Sequence, residues 1–284
     1  MKPRRVPISS RVQELKKEKR KVRRKRFLFR FILGACLLTS IILLLNIAQL
    51  QVKGVIIASD LRDQEDIQSF IESKLSEKIL FVLPKKNIFF VQKDSLRENV
   101  AQTFPILENV SISIKEKVLF LEGKERTPAF LYCGSEPHRD GFGSDSCDLM
   151  DERGFSFRKA PVFSGPVYFT FYVEGAPQTI VGSTLLPYEI FSELILFRDG
   201  LKEIGISPTG IVVGTDDTLT LLLSKKGGAS YGKILFSKTQ NIDGLLNDLR
   251  LITQNEPLKS SIVQPEKIEY IDVRYKDKVY YKLK

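Results

Sequence analysis

The 284-residue chain carries 44 Lys and Arg residues against 34 Asp and Glu residues, and its formal net charge is +10. The excess is confined to the N-terminus: residues 1–30 hold fourteen basic and two acidic side chains, which leaves 30 basic and 32 acidic ones for residues 31–284. The near-neutral remainder excludes the basic surface that marks a nucleic-acid-binding domain. The tail could still touch nucleic acid or anionic lipid headgroups, but such a cluster is typical of the flank of a membrane segment.

An uncharged segment follows the tail directly. Phe31–Val52 contains 22 residues without Asp, Glu, Lys or Arg, and a helix of this length spans about 33 Å, enough for the hydrocarbon core of a bilayer. A basic flank stays on the cytoplasmic side. We therefore predict a cytoplasmic tail over residues 1–30, a single transmembrane helix over residues 31–52 and an extracytoplasmic region after it. A cleaved signal peptide is the alternative, but its apolar core would be shorter and would end in an Ala-x-Ala pattern.

Residues 52–126 predict a small α+β module. A strand is followed by two amphipathic helices, which begin near Asp63 and Asp94, and then by two strands with alternating apolar residues. The stretch Ile79–Val91, between the helices, contains Pro84 and a cluster of large apolar residues. Two helices on one face of a three-stranded sheet make a compact β-α-α-β-β unit.

Residues 127–284 predict a second, β-rich domain with two helices. Short strands and Gly- or Pro-bearing turns alternate, and apolar stripes mark helices at Pro187–Ile204 and Asn241–Thr253. The chain closes with two strands, Lys267–Tyr275 and Val279–Leu283, joined by a tight turn at 276–278.

No arrangement of residues in the extracytoplasmic region predicts an enzyme. The single His, His138, and Cys133 lie in one short loop, so no scaffold element would separate and orient them as a Cys/His pair. The nearby acids do not follow the spacing of a calcium loop. We therefore expect no catalysis, cofactor, metal or small-molecule substrate. Cys133 and Cys147 are free to form a disulfide outside the cytoplasm, but the sequence leaves that pairing open.

The last strand offers a surface for a protein partner. If Val279–Leu283 lies at a sheet edge, its free N–H and C=O groups can accept a strand from another chain. Tyr280 and Tyr281 would then point to opposite faces, and Tyr is favoured at interfaces. The alternative is a protected edge, on which Lys282 and Lys284 discourage pairing.

Four features in this order resemble the bacterial cell-division family FtsQ/DivIB. Behind the basic tail and anchor, the segment Val52–Arg126 resembles its POTRA module, down to Pro105 with Asn109–Ser111 at the helix exit and Glu125–Pro128 at the end. Leu149–Phe157 resembles the family's "(I/L)-x-D-x-x-G-x-x-F" turn. Ile271–Tyr275, followed by Val279, is similar to its closing "(I/V)-D-(L/V)-R-(F/Y)" hairpin. The loop between Cys133 and Cys147 has no match in that family.

The resemblance implies a POTRA domain over 52–126 and an FtsQ/DivIB-type β domain over 127–284. It also implies a non-enzymatic scaffold of the division complex, placed at the septum, that binds coiled-coil proteins of the FtsB and FtsL type and links septum assembly to peptidoglycan synthesis. The alternative is another anchored POTRA-containing protein, of secretion or polypeptide transport. Carried over from the family, the expected partner-binding residues are Arg274, Tyr275, Val279, Tyr280, Tyr281 and Leu283.

Overall fold

The computed structural model describes residues 10–58, 61–79, 83–137, 147–163, 165, 167–223, 232–275 and 278–284, with side chains from residue 19 onward. The protein is α+β, with one long N-terminal helix followed by a β-rich region with several helices. It divides into two compact units, Met1–Arg97 with Ser111–Glu122 and Glu98–Val110 with Gly123–Lys284.

Helix α1, Ser10–Leu45, runs without a break from the basic tail into the apolar segment. Its portion Lys19–Leu45 is long and apolar enough to cross a membrane. The prediction that this helix continues to Val52 is wrong. Asn46 ends it, because the Asn46 side-chain amide donates to the carbonyl of Ile42 (2.8 Å), and a 3₁₀ turn at Ala48–Leu50 follows.

The segment 54–125 contains a three-stranded sheet in the order β1-β5-β4, in which β1 and β5 run parallel. The element order strand, helix, helix, strand, strand is as predicted, with an added pair of two-residue strands between the helices. The buried stripe of α2, Ile67, Ile71 and Leu75, supplies its apolar face. The elements are β1 Gly54–Ile57, α2 Gln64–Ser76, β2 Lys78–Ile79, β3 Leu83–Pro84, α3 Lys93–Thr103, β4 Leu107–Lys115 and β5 Val118–Glu125.

The second unit contains a nine-stranded sheet in the order β14-β13-β12-β11-β10-β9-β6-β7-β8. The two closing strands, predicted at Lys267–Tyr275 and Val279–Leu283, each lie within one residue of those bounds. The nine strands are β6 Phe130–Tyr132, β7 Asp148–Met150, β8 Ser156–Lys159, β9 Phe169–Val173, β10 Gly210–Val213, β11 Thr218–Leu223, β12 Gly232–Ser237, β13 Ile268–Tyr275 and β14 Lys278–Leu283.

Among the described residues, three α-helices accompany this sheet where two were predicted. They are α4 Tyr188–Glu203, α5 Ile242–Thr253 and the short α6 Leu258–Ile262. The Asn241 side chain accepts a hydrogen bond from Gly244 N–H (3.0 Å) and so caps the start of α5. Phe191 and Phe197 of α4 are buried and contact the rings of Phe171 and Phe236, at centroid distances of 5.0 and 4.8 Å. These contacts place α4 on one face of the sheet, the face that forms the core.

A disulfide joins Cys133, just after β6, to Cys147, just before β7, with an S–S distance of 1.99 Å. Both residues are buried. Because β6 and β7 are paired, the bridge ties together the ends of two neighbouring strands.

His138 lies in the segment 138–146, which is outside the described residues.

Candidate partner-binding site

Strand β14 is at one end of the nine-stranded sheet, and among the described residues it pairs only with β13. The pairing is antiparallel, with Ile271 opposite Tyr281 and Asp272 opposite Tyr280. The register shifts twice, and both extra residues are on β13, so β14 itself is regular. The outer side of β14 is therefore a continuous edge.

The backbone amides that face this edge can be assigned from the last hydrogen bond of the hairpin. Lys284 N–H donates inward to the Lys267 carbonyl (2.8 Å). In an antiparallel pair, successive amides point alternately towards and away from the partner strand. The N–H groups of Leu283, Tyr281 and Val279 therefore point outward, where they could donate hydrogen bonds to the carbonyl oxygens of an incoming strand.

One face of β14 borders an apolar groove beside the helices. Val279 and Tyr281 line it together with residues from the end of α5 and the start of α6, and its volume is about 350 Å³. Leu251 on α5 is 54% exposed there. Leu283, which lies on the same face of β14 as Val279 and Tyr281, is half-buried against the core. The remaining lining residues are Ile252, Asn255, Glu256, Pro257 and Leu258.

The opposite face of β14 borders a wider and more polar groove of about 660 Å³. Tyr280, which is half exposed, meets Tyr275 edge to face at 5.3 Å between ring centroids. Arg274 lies in the same groove, within cation–π range of Tyr275 (6.0 Å). The other lining residues are Lys233, Leu235, Glu269, Tyr270 and Asp272.

The six predicted residues are thus brought to one hairpin but are divided between its two faces. Arg274, Tyr275 and Tyr280 lie on the face that borders the polar groove. Val279, Tyr281 and Leu283 lie on the face that borders the apolar groove. The α5 and α6 residues of the apolar groove were missed. No local signal could have identified them, because only the folded sheet brings them beside β14.

Arg274 is held by an ion pair within its own strand. Its guanidinium donates to both Asp272 carboxylate oxygens (2.9 and 2.7 Å) and to Thr218 Oγ1 on β11 (3.1 Å). The hydrogen bond from Arg274 lowers the pKa of Asp272, whose side chain is only 10% exposed. Asp272 and Arg274 in the "I-D-V-R-Y" sequence therefore stabilise the face of the sheet that borders the polar groove, because they bind each other and β11.

Lys282 does not present a free charge at the edge. Its ammonium pairs with the Glu269 carboxylate on β13 (2.9 Å), and this hydrogen bond raises the Lys282 pKa. Both side chains are exposed, so the pair contributes little to stability. It does turn the charge of Lys282 towards the sheet, which weakens the case for a charge-protected edge.

The "D-x-x-G-x-x-F" turn has a structural role. The Asp151 side chain accepts hydrogen bonds from Arg153 and Phe155 N–H (2.9 and 3.0 Å) and pairs with Arg126 (2.5 Å). The Arg126 guanidinium also lies over the Phe155 ring at 4.2 Å. These contacts fix the turn before β8, far along the sheet from β14.

The described residues contain no group of three or more His, Cys, Asp or Glu side chains that could hold a metal ion. Asp148 is fully buried, but Lys159, Thr179 and the Ile180 N–H all bind its carboxylate within 3.1 Å. Its contacts are those of a structural group.

The chain matches no protein-family model, and a search of curated proteins finds no match to it.

Proposed function

We propose that this chain is a non-enzymatic, single-pass membrane scaffold of the FtsQ/DivIB type. Its tail is cytoplasmic and the region after α1 is extracytoplasmic. It binds coiled-coil division proteins of the FtsB and FtsL type and thereby links septum assembly to peptidoglycan synthesis. The long apolar helix, the β-α-α-β-β order that a POTRA module would have, and the large β-rich region after it support this assignment.

The observation that carries the proposal is the open edge of β14. The carbonyl oxygens of a strand added there would accept hydrogen bonds from the outward N–H groups of Val279, Tyr281 and Leu283. The side chains of the added strand would alternate between the two grooves. One set would enter the apolar groove beside Leu251. The other would lie against Tyr275 and Tyr280. This combination of backbone pairing and side-chain pockets provides both affinity and specificity.

Two substitutions at one position test strand addition directly. Tyr281→Ala and Tyr281→Pro both remove the ring, but only Pro also removes the outward N–H. Proline is tolerated at an edge whose N–H faces solvent, so β14 should remain paired. We expect the proline variant to bind the partner's extracytoplasmic segment more weakly than the alanine variant, by about 1–3 kcal/mol or roughly 5–150-fold, because a partner carbonyl is left unsatisfied.

The measurement is the affinity of the detergent-solubilised full chain for a labelled partner segment. Tyr188→Ala is the matched control, because Tyr188 is a similarly exposed tyrosine at the start of α4. Equal affinities of the Ala and Pro variants would refute strand addition. Deleting β14 is a poorer test, since it would uncover Ile268 and Ile271, which are fully buried.

The cellular role needs a separate experiment. A fluorescent fusion of the full chain should concentrate at midcell in dividing cells. A uniform distribution over the envelope would favour an anchored protein of secretion or polypeptide transport instead.

A further inference from the structure

The end of α1 has its backbone carbonyls satisfied by protein groups. Asn46 N–H bonds the carbonyls of Ile42 and Leu43 (3.1 and 3.2 Å), and Ile47 N–H bonds that of Leu44 (3.2 Å). The carbonyl of Leu45 accepts the side-chain amide of Asn87, 42 residues further along (2.6 Å). A helix normally leaves its last four carbonyls without a partner inside the helix. Their satisfaction suits a helix end beside hydrocarbon, where water is scarce.

The turn that supplies Asn87 is tied to the chain just after α1. The N–H of Val52 donates to the Lys86 carbonyl (2.8 Å), and the N–H of Ile88 donates to the Leu50 carbonyl (2.9 Å). Asn87 is fully buried, and its side-chain oxygen also accepts the N–H of Phe89 (3.0 Å). Phe89 therefore has a defined position close to the end of α1.

Phe89 is exposed in this position. Its side chain is 70% exposed, and Lys86 in the same turn is exposed as well. Phe27–Leu45 covers 19 residues of α1, about 28 Å, and its single charge, Arg30, can reach back towards the cytoplasmic headgroups. A bilayer core of about 30 Å would therefore end close to Leu45. An exposed aromatic ring with a neighbouring Lys is typical of the membrane interface.

We propose that the turn Lys85–Phe90 is a membrane contact, in which Phe89 enters the headgroup region of the outer leaflet and Lys86 lies among the headgroups. The occupant of this surface is the bilayer that α1 crosses, because the Asn87–Leu45 hydrogen bond makes the turn continuous with the helix end. The contact holds the first unit against the membrane. This inference rests on the membrane anchoring in the proposed function.

The chain contains no Trp, so single substitutions give reporters without background. Three full-length variants reconstituted in lipid vesicles test the contact: Phe89→Trp, Leu38→Trp in the apolar part of α1, and Tyr188→Trp as an exposed aromatic control. We expect Phe89→Trp to have blue-shifted emission relative to the urea-unfolded chain and to be quenched by lipids brominated near the ester end. Tyr188→Trp should show neither effect.

The reporters separate failure of the contact from failure of the anchor. Quenching of Leu38→Trp by lipids brominated at mid-chain, without quenching of Phe89→Trp, would overturn the contact alone. Loss of quenching in Leu38→Trp as well would overturn the anchor. Equal quenching of Phe89→Trp and Tyr188→Trp would show that the contact is not specific to the turn, and would also overturn it. Adding Asn87→Ala to Phe89→Trp should reduce the quenching, and unchanged quenching would refute the positioning role of Asn87.

Discussion

A single methyl group added to Gly154, in the turn before β8, should be strongly destabilising. The φ of Gly154 is +76°, a conformation that L side chains rarely adopt, and an added Cβ would lie 2.8 Å from Cδ2 of Phe191. Phe191 is fully buried and stacked on Phe171, so its ring has little room to move. Gly154→Ala therefore combines backbone strain with overpacking of the core.

Gly205, at the end of α4, separates these two costs. Its φ is +86°, but no atom lies within 4 Å of an added Cβ. Gly205→Ala should therefore cost only the backbone strain, about 1 kcal/mol. Gly154→Ala adds about 1–3 kcal/mol of overpacking, for a total of about 2–4 kcal/mol.

The assay is urea unfolding of the detergent-solubilised full chain, followed by tyrosine fluorescence and near-ultraviolet circular dichroism. Midpoints should fall in the order wild type, Gly205→Ala, Gly154→Ala. Equal loss of stability in the two variants would refute the contact with Phe191. It would also remove the packing explanation for the glycine in the "D-x-x-G-x-x-F" turn.

Two further predictions concern the ion pair and the disulfide. Arg274→Ala should lower the free energy of unfolding by about 1–3 kcal/mol at pH 7, because Asp272 loses its charged partner. The pKa of Asp272 is below its unfolded value of about 3.9, so this stabilisation is present above about pH 4 and is lost as the pH falls through the folded pKa; unfolding at pH 7 and pH 3 checks it, and an equal difference at both refutes it. Replacing Cys133 and Cys147 by Ser opens a loop with a sequence separation of 14 and should cost about 3 kcal/mol. Adding a reductant should produce a similar loss in the wild type and none in the double variant, and identical midpoints of the two oxidised chains would contradict the prediction.

Periodicity predicted the longer elements well because each carries its own signal. Alternating residues predicted β13 and β14, and apolar stripes predicted α4 and α5. The predicted bounds of all four elements nearly match the observed ones. The short elements β2, β3 and α6 were missed, since two residues cannot display an alternation and five residues make little more than one helical turn. The anchor was predicted too long because composition alone does not reveal where helical hydrogen bonding stops. That point depends on Asn46 and on the distant Asn87.

The sequence by itself determined the separation of the basic tail, the apolar helix and the near-neutral remainder, and it predicted the hairpin of β13 and β14. These properties depend on local composition and spacing. Only the tertiary structure decided that β14 lies at the edge of the sheet, that α5 and α6 form a groove beside it, and that the turn at Asn87 closes the end of α1. Each of these arrangements joins residues that are distant in the chain, and their proximity follows from strand pairing and packing rather than from any local pattern.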